Sequence, residues 1–182
     1  MQLGDTLRKA RQIKQKLSHP SCAAIIVAAG SSARMGGVDK ILAELGGLPV
    51  LSRTLRVFDD HEMIDSIVVV ARRDQMQKIS RVCSPYHKVR IVVPGGTSRQ
   101  ESVLNGLAAV PEGTEIVAVH DGARPLVPHD VISKTIEKAA KFGAAAPAVP
   151  VKDTIKVSRH GDVDQTPDRA TLFAVLTPQI FD

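Results

Sequence analysis

The chain contains no tryptophan, one tyrosine and four phenylalanines, so its core must be filled by small aliphatic side chains. That composition suits layered α/β packing and is silent on chemistry. Cysteine is almost as scarce. Cys22 and Cys83 show no metal-ligand spacing and are too few for a disulfide framework, which favours a reducing cytoplasm. No apolar run is long enough to span a bilayer. Two common phosphate signatures, G-x-x-x-x-G-K-[ST] and G-x-G-x-x-G closing a βαβ unit, are also missing. A basic stripe across the folded body is not visible either. Five cations (Arg8, Lys9, Arg11, Lys14 and Lys16) against Asp5 place +4 of the net +5 in residues 1–20, leaving +1 for the rest. No nucleic-acid partner is therefore expected.

The 182 residues, 43% of them apolar, can bury one sizeable core, so a single domain over residues 21–182 is the expectation. Ahead of it, Leu3, Leu7, Ala10, Ile13 and Leu17 recur at helical spacing. Residues 1–20 are read as a basic amphipathic helix docked on that domain, without the apolar centre of a secretory signal.

The most informative stretch is Ala24-Ile-Ile-Val-Ala-Ala-Gly-Ser-Ser-Ala-Arg-Met-Gly36, with Asp39-Lys40 after it. Residues 24–28 are apolar without alternation, which predicts a strand covered on both faces in a parallel sheet. Gly30, Ser31 and Ser32 then let the backbone approach a ligand closely. Arg34 and Lys40 add positive charge, so the pattern is that of a loop holding a polyphosphate at the carboxyl end of a central strand.

Strand and helix patterns then alternate: helix from Pro49 to about Phe58, strand Asp65 to Ala71, helix Arg73 to about Cys83, strand Val89 to Val93. This predicts βαβ units, right-handed crossovers and a mainly parallel sheet. At the next junction Gly95 and Gly96 make a turn, and Ser98 with Glu101 forms an S-x-x-E capping box. The helix it starts should carry Val103, Leu104 and Leu107 inward and expose Ser102 in its first turn, on the same sheet edge as the first loop. A fourth strand, Glu115 to Val119, leads into His120-Asp-Gly-Ala-Arg-Pro125. A carboxylate at the end of an interior strand must be paired or bind a cation. Asp121 therefore pairs with Arg124 or, beside phosphates, holds Mg²⁺; Arg124 alternatively faces the substrate. His120 is read as a packing or hydrogen-bonding residue. A helix over about Asp130 to Phe142 and a strand from Ala144 to Val151 should follow. Lys152 to Val157 and Ala170 to Leu176 flank a polar stretch and predict a projecting hairpin, which needs a partner surface such as a second copy of the chain.

Five motifs, Ala28-Ala-Gly-Ser-Ser-Ala-Arg-Met-Gly36, Gly95-Gly-Thr-Ser-Arg-Gln-Glu-Ser102, His120-Asp-Gly-Ala-Arg-Pro125, Lys152-Asp-Thr154 and Leu176-Thr-Pro-Gln179, stand in a telling order. From about Ala23 onward the chain resembles the 2-C-methyl-D-erythritol 4-phosphate cytidylyltransferases of the non-mevalonate isoprenoid pathway. The resemblance implies a three-layer α/β, mainly parallel Rossmann-like nucleotidyltransferase sheet with a projecting β-hairpin arm. It implies that Ala28, Ala29, Gly30, Ser31, Gly95, Gly96, Ser102, Asp121 and Gly122 bind CTP, and that Arg34 and Lys40 stabilise the transition state. It further implies Mg²⁺ at Asp121, and a methylerythritol phosphate site built from Arg124, Thr154, Arg169 and Thr177, with the arm reaching into the other subunit of a homodimer. One position departs from the family, because Lys40 precedes Ile41-Leu42 where glutamine and an aromatic are usual. Family members run on past the point matching Asp182, so a continuation there is expected. Closely similar motifs occur in ribitol-5-phosphate cytidylyltransferases, which leaves a different polyol phosphate as the alternative acceptor. A CTP-binding module without turnover is a further alternative. In the implied chemistry a phosphate monoester attacks the α-phosphorus of CTP in line. That nucleophile is already an anion near neutral pH, so positioning and fixed positive charge matter more than a strong base.

Overall fold

A computed structural model describes residues 19–30 and 39–182. The leader helix expected over residues 1–20 lies almost wholly outside the described residues, as do Ser31 and Arg34.

The architecture is built around β1 (Cys22–Ala28), whose run of small apolar residues is buried at six of seven positions. After it come a tight pair, β2 (Glu44–Leu45) and β3 (Leu48–Pro49), then α1 (Val50–Asp59), β4 (Ser66–Ala71), α2 (Met76–Cys83), β5 (Val89–Pro94), α3 (Arg99–Leu107), β6 (Ile116–Asp121) and α4 (His129–Phe142). Short strands β7 (Ala144–Ala145), β8 (Ala148–Pro150), β9 (Val157–Arg159), β10 (Asp162–Gln165), β11 (Phe173–Val175) and β12 (Gln179–Phe181) complete the described chain. The central sheet runs β5-β4-β1-β6-β12-β7. Strands β5, β4, β1 and β6 are parallel, while β12 is antiparallel to both β6 and β7. The expectation of a mainly parallel sheet holds.

Alternate residues of the central strands serve the two faces. Ala24, Ile26 and Ala28 of β1, with Ile67 and Val69 of β4, join Leu51, Leu55 and Phe58 of α1, Ile79 of α2, and Ile132 and Ile136 of α4 in one core. Each helix buries residues three or four apart, the spacing that puts them on one stripe. On the opposite face, α3 lies over Ile25 and Val70. It approaches so closely that a Cβ on Gly106 would sit 2.6 Å from Ile25 Cγ2. The result is helix, sheet and helix, the three layers expected.

Three details differ from the sequence reading. Leu104 and Leu107 do not point inward; they are 62% and 47% exposed, and α3 instead buries Ser102 and Gly106. Small residues win that face because only they allow the helix to sit so near the sheet. The strand expected over Ala144 to Val151 is two strands in different sheets. Pro147 falls between them and has no N–H to continue a ladder, while its carbonyl accepts from Leu176 N–H at 2.8 Å. The arm is likewise two ladders in series: β8 pairs with β11 near its base, and β9 pairs with β10 at its tip. The polar stretch around Arg159 thus belongs to a small hairpin of its own.

Candidate active site

In an open parallel sheet a crevice forms where strand order reverses, and here that point lies between β1 and β6. The carboxyl ends of β1, β4, β5 and β6 surround a cleft of about 840 Å³. Ala29 and Gly30 line it from the end of β1, Lys40 from the following segment, Gly96 and Ser102 from the β5–α3 junction, and Asp121 and Arg124 from the end of β6. These residues were proposed from three separate stretches of sequence, and the fold brings them around one hollow.

Close contacts fix the walls. Gly95 N–H donates to Ala71 O at 2.8 Å, and Gly122 N–H donates to Val27 O at 2.9 Å, so both turns are tied to neighbouring strand ends. A Cβ on Gly95 would stand 2.4 Å from Ala29 Cβ, so only glycine lets the β5 turn lie against the β1 loop. Gly122 carbonyl accepts from Thr54 Oγ1 at 2.8 Å, which ties the β6 turn to α1.

The start of α3 follows the capping logic. Glu101 N–H donates to Ser98 Oγ at 3.0 Å, while the Glu101 carboxylate accepts from Thr97 N–H and Thr97 Oγ1 at 2.6 and 2.7 Å. Those bonds hold the Glu101 carboxyl below the usual carboxylate range. Ser102 is not exposed as expected: it is 3% exposed, accepting from Gly96 N–H at 3.1 Å and donating to Ser98 O at 2.9 Å. It lines the cleft as part of the wall that shapes the Gly96 turn.

Asp121 is paired twice. Arg124 Nε lies 3.0 Å from Asp121 Oδ2, and Arg99 Nη2 lies 3.1 Å from Asp121 Oδ1. At this degree of exposure each pair contributes at most about 1 kcal/mol, so the arrangement orients charge more than it stabilises the fold. Among the described residues no group of three His, Cys, Asp or Glu side chains could hold a metal ion. One carboxylate still fits a hard cation that takes its remaining ligands from phosphate oxygens and water, because each carboxylate oxygen keeps a lone pair beyond its arginine bond.

Arg99 and Arg72 escaped the sequence reading, yet both line the cleft. Arg72 directly follows the end of β4 and pairs with Asp74; Arg99 opens α3. Their position just past the carboxyl ends of parallel strands was the available signal.

Of the residues expected to hold the acceptor, Arg124 lines the cleft and the other three lie elsewhere. Thr154 is exposed in the arm, and Arg169 donates through Nη1 to Lys152 O at 3.0 Å, also in the arm. Neither lines the cleft. Thr177 is 8% exposed and sits just before β12, 3.0 Å from His120 Nδ1 and 3.4 Å from the Asp121 amide nitrogen. His120 is buried against the Phe58 ring, with centroids 4.7 Å apart, and burial pushes its imidazole down to about 4.

Comparison with known proteins decides the family. Residues 22–182 match the model of IspD, 2-C-methyl-D-erythritol 4-phosphate cytidylyltransferase. The chain belongs to that family. The 2-C-methyl-D-erythritol 4-phosphate cytidylyltransferase of Syntrophotalea carbinolica is 48% identical over 163 residues, spanning 86% of this chain and 70% of the relative. The enzyme of the same name from Geobacter metallireducens is 42% identical over 168 residues, spanning 87% and 71%. Among solved structures, the 4-diphosphocytidyl-2C-methyl-D-erythritol synthase of Anaerococcus prevotii superposes with a TM-score of 0.79 at 36% identity, covering 90% of this chain and 71% of that one. The Francisella tularensis cytidylyltransferase gives 0.71 at 29% identity, covering 88% and 72%. These neighbours share the α/β nucleotidyltransferase architecture described above. This cytidylyltransferase-family chain thus has a sheet order, a cleft and a motif set that agree with one another.

Proposed function

We propose that the chain transfers the cytidylyl group of CTP to 2-C-methyl-D-erythritol 4-phosphate and releases pyrophosphate. The observation that carries this reading is the meeting of Lys40, Gly96, Ser102 and Asp121 around one cleft at the strand-order reversal, in a chain of this family. An oxygen of the acceptor's 4-phosphate attacks the α-phosphorus of CTP. The new O–P bond forms as the bond to the β-phosphate bridging oxygen breaks, and pyrophosphate carries away the electron pair. The Gly30 and Gly96 turns bring backbone close to the nucleotide. Lys40, with Arg34 six residues earlier in the sequence, counters charge growing on the leaving group. Arg72 and Arg99 add positive charge to the same wall. Asp121 would hold Mg²⁺ jointly with the phosphates, and the ion would supply charge neutralisation there.

Thr154 and Arg169 stand outside the chain's own cleft, which supports an acceptor site shared between two copies. Phe173 and Val175 share one face of the β8–β11 ladder with Pro150 and Ala148 and are 59% and 56% exposed, an apolar strip that a second arm would cover. A homodimer through the arm is therefore part of the proposal. Cytoplasmic residence is proposed too, supported by two buried free thiols and by the lack, among the described residues, of any helix long and apolar enough to cross a membrane.

The test is pyrophosphate release with CTP and Mg²⁺, offering 2-C-methyl-D-erythritol 4-phosphate and ribitol 5-phosphate in parallel. Release at least tenfold faster with the first acceptor is expected. Preference for ribitol 5-phosphate moves the assignment to that acceptor, and no release with either refutes cytidylyl transfer.

A further inference from the structure

We propose that His120 is a positioning residue which, with Thr177, pins both ends of the Asp121–Arg124 turn and so fixes where the Asp121 carboxylate meets the nucleotide. The role rests on the cytidylyltransfer reading of the cleft. His120 itself does not line that cleft; it lies beneath it, 0% exposed.

The hydrogen-bond polarity follows from the partners. His120 Nε2 is 3.1 Å from Arg124 O, and a carbonyl can only accept, so Nε2 carries a proton. A ring buried against Phe58, with no carboxylate in hydrogen-bond contact among the described residues, is held neutral, since a bare buried cation is costly. Nδ1 is then an acceptor. Thr177 Oγ1, 3.0 Å away, must donate to it, which leaves the threonine's lone pairs for the Asp121 N–H at 3.4 Å. One buried imidazole thus holds Arg124 O directly and the Asp121 N–H through Thr177, at opposite ends of a four-residue turn.

The rest of the turn is tied down independently. Arg124 N–H donates to Asp121 O at 3.0 Å, Gly122 N–H to Val27 O at 2.9 Å, and Thr54 Oγ1 to Gly122 O at 2.8 Å. The side chain so anchored is pulled from two directions, by Arg99 and by Arg124. A loose backbone would let the carboxylate follow its arginines; the His120–Thr177 pair prevents that. Misplacement by about 1 Å in a transfer reaction costs about 10²-fold in rate.

Three substitutions separate the two bonds. His120→Leu keeps apolar packing and removes both, His120→Gln keeps a donor for Arg124 O, and His120→Asn keeps an acceptor for Thr177. On full-length protein, kcat for CTP plus 2-C-methyl-D-erythritol 4-phosphate is expected to fall about 10²-fold in the leucine variant. Both amides should recover at least tenfold of that loss, and the KM for CTP should stay within threefold throughout. A folded leucine variant with unchanged kcat overturns the proposal. So does equal loss in all three variants, which would mark His120 as a packing residue only. Two readouts do not depend on turnover. Nitrogen NMR of the wild-type imidazole should show the proton on Nε2 and none on Nδ1; the opposite tautomer overturns the proposal. Hydrogen exchange at the Asp121 amide should speed up in His120→Leu and in Thr177→Val; unchanged exchange in both overturns it. If the wild-type chain releases no pyrophosphate, the functional reading fails, while these two measurements still judge the lock.

Discussion

Replacing Gly95 by alanine would drive a methyl group into the joint between the two nucleotide-facing loops. The added carbon would lie 2.4 Å from Ala29 Cβ and 3.0 Å from Ser102 Oγ. Carbon atoms rest at about 3.5–4.0 Å, so the β1 and β5 loops must part by roughly 1.1–1.6 Å. Ala29 Cβ is fixed to the backbone and cannot rotate away. Overpacking of this kind costs about 1–3 kcal/mol. For a domain of this size that is a fall in Tm of about 2–12 °C. The same separation widens the cleft between Gly30 and Gly96, so CTP affinity measured by calorimetry should fall about tenfold or more, as 1.4 kcal/mol of lost binding implies. Gly106→Ala is the control. Its methyl would meet Ile25 Cγ2 at 2.6 Å and Val70 Cγ2 at 2.9 Å, one turn beyond Ser102 along α3 and away from the cleft lining. It gains about 1 kcal/mol of helix propensity against about 1–3 kcal/mol of overpacking, so it should lose stability with CTP affinity preserved. A Gly95→Ala protein that matches the wild type in both Tm and CTP affinity would refute the claim that these loops are held in contact.

Lys40→Met should lower kcat about 10²-fold or more with little change in melting temperature, measured by steady-state pyrophosphate release alongside calorimetry. Phe58→Ala should cost about 3–5 kcal/mol in denaturant unfolding, because that ring, carried on α1, is fully buried against His120. Burial pushes the Cys22 and Cys83 thiols up to about 12. Above pH 9 the unfolded chain loses those protons while the native chain keeps them, so stability present below pH 9 should fall as pH rises toward 12. The slope is about 1.4 kcal/mol per pH unit per thiol, and urea titrations of wild type and Cys83→Ala at pH 8 and 10 measure it. Equal pH sensitivity in the two proteins would contradict the assignment for Cys83.

The central sheet was legible because its strands are buried on both faces. Unbroken runs such as Ile67-Val-Val-Val70 have few other readings, and the glycine and serine junctions after them mark the carboxyl ends where ligands sit. The cleft wall was legible for the same reason. What escaped depended on distances between segments. Helical spacing made Leu104 and Leu107 look like a core stripe, yet the close approach of Gly106 to Ile25 rotates them outward. The double pairing of Asp121 needed the fold, since Arg99 is 22 residues away from it in sequence. The arm was legible as extended and polar at its tip; its division into two ladders showed only in the strand pairing, β8 with β11 and β9 with β10.

The place of β1 in the middle of the sheet also sets a condition on how the protein is made. Its start is joined to Asp65, 43 residues downstream, and to Glu115, 94 residues downstream. During synthesis this apolar strand emerges ahead of both its neighbours, so one edge stays bare until β4 has been made and the other until residue 121 has been added. Partners so distant make for slow closure and a long interval in which stray strands can pair with it. An emerging chain short of β6 therefore has one side of the crevice and nothing opposite, so nucleotide can assist folding only once Asp121 has been added.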